Sequence, residues 1–249
     1  MKIEEQYNRA KNRLNGRLFA PYQREGVLWM LTMENQTSGP VKGGILADEM
    51  GLGKSAQLIA TMLGNPKRRT LIVVPKSIIT QWANEIKKFA PQLSVHIFDG
   101  PNRTLKEADV VITPYSLLST HEETLVHKKT WDRIILDEAH EIRNKSSKLF
   151  KSVNRIKAEI KWIVTGTPVF NSMEDFVSLC AFLGIDKALV QGMTSKIKDI
   201  YILRRTKDDL AKINERLRLP PCHFENVELD MFPDERQLYE FVFQDAQDT

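Results

Sequence analysis

Short continuous runs of aliphatic residues alternate along the chain with stretches whose apolar positions recur every three or four residues. TLIVV at 70–74, ending at Pro75, reads as a strand buried on both faces. Segments 93–98, 109–113, 133–136 and 160–164 read as further strands, and the apolar run 44–47 as one more. Between them lie helical stripes. Tyr22, Val27, Leu28 and Leu31 share one face behind Pro21, which suits a first helical turn. Ile78, Ile79, Trp82, Ile86 and Phe89 share another, with Ser77 placed to cap it. Leu58, Ile59, Met62 and Leu63 mark a third, and 146–153 a fourth. Strands alternating with helices predict an α/β fold built on a parallel sheet covered on both faces. Beyond Ser172 the texture turns helical, with helices expected over 174–183, 195–203 and 234–244 and a strand-like alternation at 223–229. Residues before Arg17 are polar and charged and are expected to form a helix or a loose arm.

Composition narrows this little. The 249 residues are 42% hydrophobic, enough for a sizeable core, and no apolar run is long enough to cross a bilayer. The charged start MKIEEQYNRAKNR has no signal-peptide character. Cys180 and Cys222 lie far apart, so neither a zinc site nor a disulfide framework is indicated, and a reducing compartment is expected. No pair among His96, His121, His127 and His223 has metal-ligand spacing. A net charge of +4 permits a nucleic-acid partner without demanding one.

The chemistry concentrates at ILADEMGLGKS. The run 44–47 ends in a loop holding Gly51 and Gly53, then Lys54, Ser55 and a helical pattern. That order is a phosphate cradle: glycines admit backbone N–H groups to the phosphates, Lys54 reaches the β and γ oxygens, and the Ser55 hydroxyl can ligate Mg²⁺. The strict pattern has glycine where this chain has Asp48. Asp137 and Glu138 end the buried run 133–136. Nucleotide hydrolysis needs a cation on the phosphates and a group to orient water, and adjacent carboxylates at a sheet edge can serve both.

Taken in order, ADEMGLGKS, WDRIILDEAHEIRN and WIVTGTPVFN resemble motifs I, II and III of the Swi/Snf-type ATPases of the helicase-like superfamily. LFAPYQREGVLWM resembles their adenine-recognising Q motif, LIVVPKSIITQWANEIKKF motif Ia, DVVITPYSLL the segment after it, and YILRRTKDDL the basic signature closing the first lobe. The family shares the Asp48 departure. The resemblance implies a RecA-like lobe of the P-loop NTPase class over 18–183, an N-terminal arm over 1–17, and a helical extension with a completing strand over 184–249. It further implies ATP and Mg²⁺ as cofactors, and double-stranded DNA, a DNA-bound protein such as a nucleosome, and a second RecA-like lobe as partners. That second lobe, with its arginine finger, has no room after Leu229, so the chain is expected to be a fragment that binds ATP with little turnover. The location implied is nuclear in a eukaryote and otherwise cytoplasmic, nucleoid-bound or virus-associated.

Roles carried over from the family fall on matching positions. Gln23 would bracket adenine; Gly51, Gly53, Lys54 and Ser55 would bind phosphates; Ser55 and Asp137 would hold the metal and Glu138 would act as base. His140, Thr165, Gly166 and Thr167 would couple the nucleotide to lobe closure. Lys76, Ser77, Thr113 and Tyr115 are candidates for the DNA backbone, although Lys76 equally suits a solvated lysine and Tyr115 equally suits the core. Trp82, Trp131 and Trp162 read as core anchors. Arg204, Arg205 and Lys207 fit a solvated face, a DNA patch or an internal ion-pair set, with a structural role favoured. Two other functions compete: a strand-separating helicase or restriction-type translocase, which DEMGLGKS and LRRTK disfavour, and a non-hydrolysing nucleotide- or DNA-binding module.

Overall fold

The structure is a computed structural model that describes residues 2–18, 20–37, 39, 41–100, 104–120, 124–166, 172–211, 225, 227 and 230–247. Seven parallel strands form one sheet: β1 (Lys42–Leu46), β2 (Thr70–Val74), β3 (Val95–Ile97), β4 (Val110–Pro114), β5 (Trp131–Asp137), β6 (Ala158–Val164) and β7 (Ile202–Leu203). Their order is β3-β4-β2-β5-β6-β1-β7, and every pairing is parallel. Side chains alternate between two cores, one on each face. Leu46, Ile72, Val74, Ile112, Ile135 and Trp162 point to the first. It is closed by α1 (Ile3–Arg13), α2 (Pro21–Glu34), α3 (Lys54–Gly64) and α4 (Ile79–Phe89). Ile45, Leu71, Val73, Ile134, Leu136 and Ile163 point to the second. That side is covered by α5 (Tyr115–Thr120), α6 (Lys148–Asn154), α7 (Met173–Leu183), α8 (Lys187–Gly192) and α9 (Thr194–Tyr201). Burial on both faces explains why β2 and β4 read as unbroken apolar runs.

Two local expectations change. The segment 195–203 is helical only as far as Tyr201; Ile202 and Leu203 pair with Ile45 and Leu46, because the outer edge of β1 offers unpaired backbone groups. Ser77 does not cap α4: a 3₁₀ turn, Lys76–Ile78, precedes it, and Ile78 takes the cap position with no side-chain bond. Of the two readings of the N-terminal residues, helix or loose arm, the structure has the helix, docked on the fold. Ala10 and Leu14 are buried, and Gln6 and Asn35 exchange amide hydrogen bonds of 3.1 and 2.8 Å. The strand expected at 223–229 lies mostly outside the described residues. After α10 (Lys207–Ala211) and past that segment, α11 (Pro233–Gln247) exposes Leu238, Tyr239, Phe241, Val242 and Phe243.

One buried ion pair anchors the far ends of the strands. Arg133 donates to Glu34 at 2.7 and 2.6 Å and to the Asn65 carbonyl at 2.8 Å, while Trp162 and Asn65 add bonds of 2.9 and 2.7 Å to the same carboxylate. Full pairing is what makes such a burial tolerable.

Candidate nucleotide site

β1 ends at Leu46, and the loop that follows climbs over the sheet edge into α3. Gly51 and Gly53 adopt φ of +86° and +77°, a region L side chains seldom enter, so the loop's curvature depends on them. Gly53 is the N-cap of α3 and supplies no side-chain bond, so the first-turn N–H groups of an 11-residue helix stay available to an anion. Lys54 folds back over the loop and donates to the carbonyls of Asp48 at 2.9 Å and Glu49 at 3.4 Å. Burial pulls its ammonium below the usual lysine range, against the opposing fields of Asp137, Glu138, Asp48 and Glu49. Ser55 follows in the first turn and is half-buried.

Across from the loop, β5 delivers Asp137 and Glu138. Asp137 is nearly buried and accepts from the Trp82 indole at 2.7 Å and the Glu138 amide at 2.9 Å. Burial still outweighs these donors and pushes its carboxyl up, so a cation against it would relieve a real deficit. Glu138 has φ of +50°, the one non-glycine residue with positive φ among those described. That backbone turns its side chain off the strand axis, where the carboxylate meets His140 Nδ1 at 3.4 Å. Between loop and carboxylates runs β6, whose end carries Thr165 and Gly166. Thr165 N donates to the Leu46 carbonyl at 3.1 Å. A Cβ on Gly166 would sit 3.1 Å from the Lys54 ammonium and 2.6 Å from the Met50 side chain, so glycine leaves both side chains their present positions. The structure thus brings Gly51, Gly53, Lys54, Ser55, Asp137, Glu138 and Gly166 to one end of the sheet; Thr167 lies outside the described residues. The donor set, a lysine and free helix N–H groups facing two carboxylates, fits a nucleotide phosphate with its divalent cation.

Gln23 reaches the same loop: its amide donates to the Leu52 carbonyl at 3.3 Å, beside Gly53. The DNA candidates separate. Lys76 and Ser77 are exposed, and Lys76 lies 3.4 Å from Asp99. Thr113 is fully buried and donates to the Phe98 carbonyl at 3.0 Å, and Tyr115 is buried with its hydroxyl on the Asp137 carbonyl at 2.9 Å. Their side chains are spent inside the fold, which removes both as side-chain contacts to DNA. Trp82, read as a core anchor, is buried but also serves the acid. Arg205 proves internal: it pairs with Asp48. A 390 Å³ cavity rimmed by Arg68, Arg69, Lys106 and Lys129 opens near the opposite ends of β2, β4 and β5 and has no part in the site.

The comparisons agree with this geometry. The model of the SNF2-related domain matches residues 22–192. A Mycoplasma pneumoniae protein described as an uncharacterized ATP-dependent helicase is 31% identical over 88% of this chain and 23% of its own length. The ISWI chromatin-remodeling complex ATPase ISW1 of Saccharomyces cerevisiae is 29% identical over 92% of this chain and 21% of its own. The Sulfolobus solfataricus SWI2/SNF2 ATPase core solved in complex with dsDNA superposes with a TM-score of 0.71 at 29% identity, covering 95% of this chain and 55% of that one. The chain therefore spans about a quarter or less of these two relatives. With the cradle, the paired carboxylates and this match in hand, the chain belongs to the SNF2-related domain family of helicase-like ATPases.

Proposed function

We propose that this chain is the ATP-binding lobe of a DNA-dependent ATPase that moves along double-stranded DNA and remodels the proteins bound there. The observation that carries the reading is the convergence of Lys54 and the uncapped start of α3 on Asp137 and Glu138 across Gly166. Lys54 would exchange its bonds to the Asp48 and Glu49 carbonyls for phosphate oxygens, leaving the loop's shape to its glycines. Ser55 and Asp137 would hold Mg²⁺, which when bound neutralises phosphate charge. Glu138, with its left-handed backbone and His140 3.4 Å away, would orient the attacking water and take its proton. Gln23, next to Gly53, would meet the base. The exposed turn at Lys76 and Ser77 would meet a DNA strand through its backbone, which implies no sequence preference. The dsDNA complex of the Sulfolobus relative supports duplex as the partner.

Calorimetric titration of ATP with Mg²⁺ tests the nucleotide reading. The wild-type chain should bind, and Lys54→Met should weaken binding at least tenfold through loss of charge-assisted bonds worth about 1.5–3 kcal/mol each. Equal affinity of the two proteins would remove Lys54 from the site. ATPase assays of the complete gene product with duplex DNA, single-stranded DNA and RNA test the rest: stimulation by duplex above the other two is expected, and RNA as the strongest activator would refute it.

A further inference from the structure

Arg205 lies in the basic signature, far in sequence from the phosphate loop, yet it is bonded to three parts of the nucleotide site at once. Its Nε donates to Asp48 Oδ1 at 2.9 Å and one Nη donates to Asp48 Oδ2. The same Nη reaches Gln57 Oε1 on α3 at 2.9 Å, and the other Nη donates to the Tyr22 carbonyl on α2. Asp48 is fully buried and Arg205 nearly so, and the guanidinium stacks 5.2 Å from the Tyr22 ring. The backbone runs in step: Ala47 N donates to the Leu203 carbonyl at 2.7 Å, Glu49 N to the Arg205 carbonyl at 2.9 Å, and Lys207 N to the Glu49 carboxylate at 2.7 Å. Leu210 closes the outside of the loop against Tyr22 and Leu52. Space has been kept for this arrangement, because a Cβ on Gly26 would overlap Gln57 Oε1 at 1.9 Å and crowd Arg205 at 2.8 Å.

We infer that Arg205 is a positioning residue of the nucleotide site, setting the phosphate loop against the helix that carries Gln23 without touching nucleotide itself. The inference rests on the ATP reading above. One hydroxyl and two amides (Tyr22, Gln23 and Gln57) converge on the Leu52 carbonyl at 3.2–3.3 Å, and Arg205 bonds to both helices they come from. Without the guanidinium, Asp48 becomes a buried anion with no counter-charge inside a loop that must receive phosphate, and α2 keeps only its bonds to the Leu52 carbonyl as ties to that loop. Lysine cannot replace it, since a single ammonium does not span Asp48, Gln57 and the Tyr22 carbonyl.

The test is titration of ATP and of GTP into the 249-residue chain, wild type, R205M and R205K, below the melting temperature of each. R205M should weaken ATP binding roughly tenfold, the scale of coupling between neighbouring groups. It should also shrink the preference for ATP over GTP severalfold, a ratio that simple loss of stability does not move. R205K should recover less than half of either effect. Affinity and preference in R205M both within twofold of wild type would overturn the inference. If R205M does not fold, D48N carries the test: the same narrowing of base preference is expected, and an unchanged preference overturns the inference. Wild-type chain that binds no ATP would sink this and the ATP reading together; ATP bound by wild type, with R205M matching it in both affinity and preference, would sink this alone.

Discussion

Lys54 shows how a residue built for a ligand burdens the protein that waits for it. Its ammonium is drawn out of water by the fold, and neighbouring carboxylates repay only part of that loss, so its affinity for the proton falls on folding. A base whose folded value lies below its unfolded one costs stability while both states are charged. Stability is regained as pH rises from the folded value to the unfolded one, where the folded state alone has shed its proton. Lys54→Met should therefore leave the ligand-free chain as stable as wild type at pH 7, or more stable by up to about 1 kcal/mol. The difference should shrink in urea melts as pH approaches the ordinary lysine range. A loss of several kcal/mol at neutral pH would show the ammonium to be a structural tie. Lys54 and its glycines were legible because a cradle is written locally, in consecutive residues. Asp48 was not: it stands where glycine belongs, and its partner Arg205 lies 157 positions away.

At the scale of elements, the central strands were readable because double burial leaves unbroken aliphatic runs; β2 covers the expected 70–74. β7 was not readable, since two residues ending a helical pattern become a strand only when the edge of β1 is there to pair with. Thr113 and Tyr115 posed the same difficulty in another form, because a motif fixes where a residue sits in the chain and not which way its side chain turns. α4 is the instructive case. Its apolar stripe was evident, but not that Trp82 aims its N–H at Asp137, joining the exposed turn at Lys76 to the acidic pair. Trp82→Phe keeps most of the buried ring and deletes that donor. It should cost about 1–3 kcal/mol at pH 7, the penalty for leaving a buried carboxylate one bond short. Because protonation of Asp137 relieves the penalty, the deficit should diminish as pH falls through the carboxylate range; a deficit independent of pH would assign it to packing instead.

For the whole molecule, the described sheet places every cradle and carboxylate group on one lobe, and the relatives that share it run to about four times its length. Phosphoryl transfer gains much of its rate from a cation brought to the transition state, an arginine finger being worth ~10³–10⁵ in turnover. Two cations beside the loop are already engaged: Arg205 is committed to Asp48, and Lys54 belongs to the ground-state cradle. If that cation comes from a second lobe, as the family resemblance implies, binding and turnover must part company. The 249-residue chain should bind ATP yet hydrolyse it ~10³–10⁵-fold more slowly than the complete protein with duplex DNA, and DNA added to the chain alone should change that little. Single-turnover measurements at saturating ATP separate the two quantities. Rapid, DNA-stimulated turnover by the chain alone would mean that its own residues supply the missing charge, and the search for it would return to the cations nearest the loop, Lys207 first.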